Sequence, residues 1–315
     1  MNKKISLILK IFITFAILFV LFKLVPYNEL LDVFKHSKKI YILLGFLVYL
    51  LTVVISILRW HFLLHSLKVK ASFKDVFGSS FAGLFFNLIF PSFVAGDVFK
   101  GFSISASHGE AKKVASSVLM DRFSGAVALM FVAFFSYLFG RKVFNEKEVS
   151  LCLILLCVLI GFCSFAIFSK RFFSFIVKLL GNLALKKKLI DFHEHLYFFR
   201  KNPDIFLKSV YFSLPVQLLT CVTFFVASKA FGLHISIIYF FILVPIVMMI
   251  ALIPITIAGA GTREAAAVYF FSLIGVEKSI SLGLSLLNLA FTISIGLAGG
   301  IYYVTVYNRR LQSRS

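Results

Sequence analysis

Charge is scarce in this sequence, and acid scarcest of all. Only 15% of the 315 residues are charged, and Asp and Glu number 13 against 33 Lys and Arg, a net charge of +20. Soluble domains average about 25% charged and about 45–50% apolar residues. Here 60% are hydrophobic and 41 are Phe, which excludes both a water-soluble globule and a disordered chain. Cysteine is equally thin. Cys152, Cys157, Cys163 and Cys221 stand inside apolar runs with no CxxC and no paired histidines, which excludes a disulfide framework or a zinc ribbon and leaves four small apolar residues. His193 and His195 flank Glu194 without a further ligand at suitable spacing, so no metal site is expected there. There is no GxxxxGK[ST] run, which excludes a P-loop for ATP. No cofactor is expected. What the chain does have is apolar runs of bilayer length with cations between them. That placement removes nucleic acid as the reason for the basic balance and marks an integral membrane protein.

The first run, Ile5 to Val25 behind Lys3 and Lys4, is about twice the length of a signal-peptide core. It leads into Pro26-Tyr27-Asn28 with no small-x-small cleavage site, so it reads as a retained span. A helix of ~20 residues crosses a ~30 Å hydrocarbon core. Spans are expected at 5–25, 40–60, 114–139, 150–169, 206–228, 236–257 and 279–307, seven in all. Residues 76–95 and 263–276 are ambiguous. Lys and Arg gather on the cytoplasmic side, and the densest basic segment, 170–208 with nine of them, is placed inside. Residues 76–95 then enter and leave on one face as a re-entrant hairpin, and 263–276 becomes a short broken helix. This arrangement puts 22 Lys/Arg inside and eight outside, with Lys23, Arg122 and Arg263 within spans. Both termini face the cytoplasm, and the expected home is the cell's inner membrane. The expected fold is all-α, one transmembrane domain over 1–315.

Residues 171–201 alternate Phe172, Phe173, Phe175, Ile176, Leu179 and Leu180 with Arg171 and Lys178 before the run Lys186-Lys187-Lys188. The pattern suits an amphipathic helix on the anionic inner leaflet, and equally an ordinary basic loop.

The two ambiguous segments share a pattern. Pro91-Ser-Phe-Val-Ala95-Gly96-Asp97-Val-Phe-Lys100 and Pro254-Ile-Thr-Ile-Ala258-Gly259-Ala260-Gly261-Thr-Arg263 are both Pro-x3-Ala-Gly-x3-cation. Pro91 and Pro254 are expected to break their helices, and Gly96, Gly259 and Gly261 to turn the chain through positive φ. Freed backbone groups at membrane depth must be buried in protein or line a wet cavity. Paired interruptions point to a substrate site between repeat halves, here about 1–140 and 150–308, with inverted symmetry. A half-helix starting after each glycine would aim N–H groups at an anion. Packing kinks in a bundle remain the plainer alternative.

Charge inside a bilayer is costly and marks function. Asp97 and Lys100 follow the first break, Arg263 and Glu264 the second, and Asp121-Arg122 lies within the third expected span. Neighbours on a helix point ~100° apart, so Asp121 and Arg122 should each find partners on other helices, with Asp97 and Glu264 available. Arg59-Trp60 reads as well as a snorkelling anchor with an interfacial tryptophan as it does as a site.

Together Arg59-Trp60, Asn87-x3-Pro91-x4-Gly96-Asp97, Asp121-Arg122-x2-Gly125 and Pro254-x4-Gly259-x-Gly261-x-Arg263-Glu264 resemble the lysylphosphatidylglycerol synthase transmembrane (flippase-like) family, over about residues 10–305. The resemblance implies a helical membrane protein that translocates phospholipid or polyprenyl-linked lipid. Fused relatives carry an aminoacyl-transferase domain after the membrane part. This chain ends at Ser315, so it is not expected to aminoacylate a lipid or to be an enzyme. Lys100 stands where Arg is expected, and Ala258 where Gly is common; Lys binds phosphate as a point charge without the bidentate fork.

The leading expectation is a lipid flippase or lipid-binding transporter. Lys100, Arg122, Arg263 and backbone N–H groups at Gly96, Gly259 and Gly261 would hold a headgroup phosphate, and Asp97, Asp121 and Glu264 would serve as charge partners. The alternatives are a membrane-embedded lipid-modifying transferase, for which the loops offer Glu29/Asp32 and Glu146/Glu148, and an accessory subunit. Membrane lipids are the expected ligands, and a lipid synthase, a glycosyltransferase or a second copy of the chain the candidate partners.

Overall fold

A computed structural model describes residues 3–90, 94–140, 147–169, 199, 201–253, 255–256 and 259–307. Their regular structure is helical throughout. The helices are α1 (Lys3–Leu24), α2 (Tyr27–Lys35), α3 (Lys39–Ser66), α4 (Phe73–Ile89), α5 (Ala95–His108), α6 (Ala111–Gly140), α7 (Lys147–Phe168), α8 (Pro203–Ala230), α9 (Ile237–Leu252), α10 (Thr262–Ser272) and α11 (Lys278–Tyr302). A π-helical turn, Tyr303–Tyr307, extends α11. Among the described residues α3, α6, α8 and extended α11 are each long and apolar enough to cross a bilayer alone. Their outward faces carry large apolar side chains, among them Leu47, Phe131, Phe135, Leu218 and Ile301. The chain is a polytopic helical membrane protein.

Elsewhere the helices match the expected spans with differences. Residues 12–24 of α1 meet α2 at a bend of 77°. The 22-residue α7 falls on the expected span 150–169. Helix α3 runs six residues past the expected span end at 60, and α9 has only 16 residues, ending at Leu252 where a span to 257 was expected.

The first break is a helical hairpin. Its arms, α4 with 17 residues and α5 with 14, pack side by side, and neither is long enough to cross alone. The Ser72 hydroxyl caps α4 by accepting the Asp75 N–H at 3.2 Å, and donates to the Asp75 carboxylate at 2.8 Å. The arms touch backbone to backbone at Gly83 and Gly96. A Cβ at Gly83 would lie 2.8 Å from the Gly96 carbonyl oxygen, and one at Gly96 would overlap the Gly83 carbonyl. The Gly96 N–H donates to Asn87 Oδ1 at 2.7 Å. Two expectations are corrected here. Helix α5 starts at Ala95, before the glycine, and Gly96 does not have a positive φ. Glycine is required because two backbones meet there.

The second break follows expectation more closely. The chain leaves α9, passes Gly259 (φ 73°) and Gly261 (φ 86°), and restarts at Thr262 in the 11-residue α10. Glu264, in the first turn, accepts the Gly261 N–H at 2.7 Å and so binds the turn to the helix.

Around these hairpins α3 packs along α8, α4 packs on α11, and α9 packs on α6. The α4–α11 contact is close because α11 presents glycine. A Cβ at Gly296 would overlap the Leu88 side chain, one at Gly299 the Phe81 carbonyl, and one at Gly300 would come within 2.5 Å of the Phe85 ring. The buried Tyr307, at the end of the π-turn, lies across Gly78 and shares a 2.7 Å hydrogen bond with Ser103. Pro215 and Pro245 sit inside α8 and α9 without ending either helix. Pro91, Pro254, most of the segment 171–201 with His193 and His195, and residues 308–315 lie outside the described residues.

Candidate functional site

The sequence places cations and carboxylates on three helices that converge beside the first hairpin. Arg59 and Trp60 come from α3, Asp97 and Lys100 from one turn of α5, and Asp121 and Arg122 from α6. They form a chain of alternating charge. Arg59 Nε donates to Asp121 Oδ1 at 2.7 Å, and Lys100 Nζ lies 3.2 Å from Asp121 Oδ2 and 3.1 Å from Asp97 Oδ1. Arg122 Nε closes the series on Asp97 Oδ2. Each carboxylate therefore sits between two cations, and a cation stands at either end.

The ends differ. At one end the Arg59 side chain is 7% exposed, and its Nη1 donates to Ser213 on α8 at 2.9 Å. Ser213 in turn joins Ser124 and Ser209 in a buried hydroxyl cluster. At the other end the Arg122 side chain is 40% exposed. In the middle, Lys100 lies over the ring of Trp60, 4.6 Å from its centroid, and Trp60 Nε1 donates to Ser117 at 3.1 Å. Both aromatic and cation are held in place. Gln217 on α8 donates to the Gly125 carbonyl at 3.1 Å, and a Cβ at Gly125 would sit 3.2 Å from Arg59 Nη1, so that glycine leaves room for the guanidinium.

Arg59, Trp60, Asp97, Lys100, Asp121 and Arg122 line a cavity of about 180 Å³ together with Val53, Ser56, Ile57, Ser80, Gly83, Leu84, Asn87 and Gly96. Among the described residues, three cations and two carboxylates line it. The Ser80 hydroxyl is buried with no hydrogen-bond partner, a donor available to whatever fills the cavity.

The cavity thus gathers Gly96, Asp97, Lys100, Asp121 and Arg122 from the sequence reading. Asp121 and Arg122 do find separate partners, as their ~100° offset requires, and Asp97 is the partner of Arg122. Arg59 is not a snorkelling anchor, nor Trp60 an interfacial belt residue. Both are buried, because α3 continues past them to Ser66. Ser80, Ser213 and Gln217 carried no signal in the sequence.

Gly259, Gly261, Arg263 and Glu264 do not line this cavity. Arg263 is paired with its own neighbour: Nη2 and Nε lie 2.7 and 3.0 Å from Glu264 Oε1. Ser285 on α11 donates to the same oxygen at 3.1 Å. The α10 helix allows this pairing because Glu264, turned back to cap Gly261, brings its carboxylate toward the helix start. Between α10 and α1 runs an apolar groove of about 550 Å³, lined by Ile17, Val20, Leu21, Leu24, Val268 and Tyr269, with Lys278 on its rim.

The family model of the lysylphosphatidylglycerol synthase TM region matches residues 7–300. The chain belongs to that family. Among its relatives are UPF0104 membrane proteins of two archaea. That of Methanocaldococcus jannaschii is 23% identical over 293 residues, 88% of this chain and 87% of the relative. That of Pyrococcus horikoshii is 22% identical over 296 residues, 86% and 88%. The family match runs through both breaks and through every charged residue of the cavity and of the second turn.

Proposed function

We propose that this member of the lysylphosphatidylglycerol synthase TM-region family binds the anionic headgroup of a membrane lipid in the α3–α5–α6 cavity and carries it between leaflets. The observation that carries the reading is the chain of alternating charge lining a cavity among apolar helices, with half-exposed Arg122 at one end. Ionised side chains at membrane depth are costly and mark sites that handle a charged ligand. A phosphate entering beside Arg122 would take hydrogen bonds from Arg122, Lys100 and the Ser80 hydroxyl. Acyl chains are too large for the cavity and would stay in the bilayer or lie in grooves such as the apolar one beside α1.

The packing pattern supports a repeat. Exchanging α3 with α8, the first hairpin with α9–α10, and α6 with α11 leaves the neighbours the same, since α4 rests on α11 as α9 rests on α6. With both termini cytoplasmic, such halves present their hairpins from opposite faces, the arrangement expected of alternating access.

The test is reconstitution in proteoliposomes carrying a fluorescent anionic phospholipid on one leaflet, followed by quenching of the outer-leaflet label. Wild type is expected to speed leaflet exchange over protein-free vesicles, and Arg122→Gln to lose most of that gain. Exchange at the protein-free rate for wild type, or full exchange by Arg122→Gln, overturns the reading.

A further inference from the structure

The charged residues that α5 brings to the cavity are held from α11 and its π-turn, which line no part of it. Asp97, Lys100 and Ser103 are spaced three apart and share one face of α5. The first two carry charge. The third is buried one turn beyond Lys100 and shares the 2.7 Å hydrogen bond with Tyr307. Tyr307 closes the π-turn, is 3% exposed, and lays its ring where a Cβ on Gly78 of α4 would stand. Its hydroxyl interacts with Ser79 of α4 as well. One side chain from the end of α11 thus bridges both arms of the first hairpin. π-Helical turns are rare and gather at functional sites.

Lys100 makes the placement of α5 matter. Its ammonium lies 3.1 Å from Asp97, which rides on α5 itself, and 3.2 Å from Asp121 on α6. The second distance is at the long end of the N–H···O range, so a shift of α5 by about half an ångström away from α6 takes it outside. The Arg122–Asp97 pair joins the same two helices and changes with it. Among the described residues α5 is tied to α4 at its start, where the Gly96 N–H meets Asn87, and at its end, where His108 lies 3.4 Å from Asp75. The hydrogen bond at Ser103 is the tie between these, beside the turn that carries Lys100.

We propose that Tyr307 is a positioning residue for the headgroup cavity: bonded to Ser103, it holds α5 at the height and rotation at which Lys100 reaches Asp121. The inference rests on the anionic-headgroup reading above and adds to it a residue from outside the cavity. Tyr307 acts through Lys100 and touches no ligand.

The experiment uses purified full-length protein in nanodiscs and two readouts. One is binding of a short-chain phosphatidylglycerol. The other needs no ligand: Trp60 is the chain's one tryptophan, and its fluorescence registers the Lys100 ammonium 4.6 Å from its ring centroid. Tyr307→Phe keeps the ring on Gly78 and removes the hydroxyl. It is expected to weaken binding about three- to tenfold, the worth of one hydrogen bond. It should also move the ligand-free Trp60 spectrum toward that of Lys100→Gln. Ser103→Ala leaves Tyr307 intact and should move both readouts in the same direction. Tyr307→Phe/Ser103→Ala should bind no more weakly than Tyr307→Phe, since both changes remove the same bond. In a Lys100→Gln background Tyr307→Phe should weaken binding no further, an outcome that a general loss of packing would not give.

Wild-type affinity in Tyr307→Phe overturns the inference, as does a Trp60 spectrum that neither variant changes. Losses that add in the double variant, or that recur in full without Lys100, overturn it too, since Tyr307 would then act on the fold alone. Should Tyr307→Phe fail to fold, Ser103→Ala decides on the same readouts. If wild type binds no phosphatidylglycerol, the anionic-headgroup reading falls, and the Trp60 spectra still decide whether Tyr307 places Lys100.

Discussion

At the first break, three of the four ion pairs among the described residues cross from helix to helix, so that three helices share one electrical circuit. At the second, Arg263 closes on Glu264, its neighbour in sequence, and another helix contributes to the pair through the hydroxyl of Ser285. One break opens on a cavity with an unpartnered Ser80 hydroxyl; at the other the pair is closed on itself. The same Pro-x3-Ala-Gly-x3-cation pattern marks both. The difference lies in the order of acid and cation after the glycine. At the first break the acid is the next residue and the cation comes one turn later, so both point across to α6. At the second the acid comes directly after the cation, reaches back to cap the helix, and captures the guanidinium on the way.

The comparison can be broken most forcefully at Asp121. Asp121→Leu leaves Arg59 and Lys100 without their shared carboxylate and should cost about 3–5 kcal/mol of stability, read as a large drop in thermal unfolding temperature in detergent. Arg59→Met/Asp121→Leu should recover more than half of that loss. An unaffected single variant would mean that the charge chain does not hold the first break together. Glu264→Gln tests the second break and should cost less, about 2–3 kcal/mol, because the amide keeps an acceptor for the Gly261 N–H and Ser285 stays beside Arg263. Removing both charges with Arg263→Met/Glu264→Gln, which keeps the acceptor for the Gly261 N–H, should return stability close to wild type, since a locally closed pair can be replaced by neutral groups.

A smaller contrast concerns the glycines. Gly96→Ala forces apart two backbones and is expected to cost about 1–3 kcal/mol. Gly259→Ala places an L side chain at φ 73° and should cost about 1–2 kcal/mol. Substitution of Gly96 should additionally weaken anion binding, because the displaced arm carries Asp97 and Lys100; an unchanged affinity would separate the hairpin contact from the cavity. The smallest effect is expected at Ser80. Ser80→Ala should leave stability unchanged and lower anion affinity by the worth of one hydrogen bond, about 0.5–1.5 kcal/mol, measurable by titration.

Much of this was legible from the chain itself. Apolar run length located the long helices, and the repeated motif located both breaks. The ~100° offset of neighbouring helical residues separated the partners of Asp121 from those of Arg122. Where the reading failed, the reasons are physical. Hydropathy cannot say where a helix ends once it leaves the apolar run, so Arg59 reads equally as an anchor and as a site, whereas α3 carries on to Ser66 and Asp121 and Ser213 hold the guanidinium in the interior. Glycine serves two purposes that look alike in a sequence: Gly259 supplies a positive φ as well as room beside the Ala251 carbonyl, whereas Gly96 supplies only a missing Cβ. Proline misleads in a similar way. Pro215 and Pro245 are accommodated within α8 and α9, so proline does not by itself end a membrane helix. Ser80 and Ser213 were illegible because hydroxyls are common in membrane helices and only the folded arrangement turns them toward charge.

The contact between Gly83 and Gly96 has a mechanical consequence. With no side chains between them, the arms of the first hairpin have nothing to compress and nothing to swing on, so they cannot part like tongs without breaking their closest seam. The contact of α4 with α11 is closed in the same way, by Gly296, Gly299 and Gly300 against Leu88, Phe81 and Phe85. Spin labels on α4, α5 and α11 should therefore keep their spacings when an anionic lipid is added, and a change between α4 and α5 would break this seam. The first hairpin is then a wedge clamped by glycine on both flanks, and any rearrangement of its cavity has to move α4, α5 and α11 as one block.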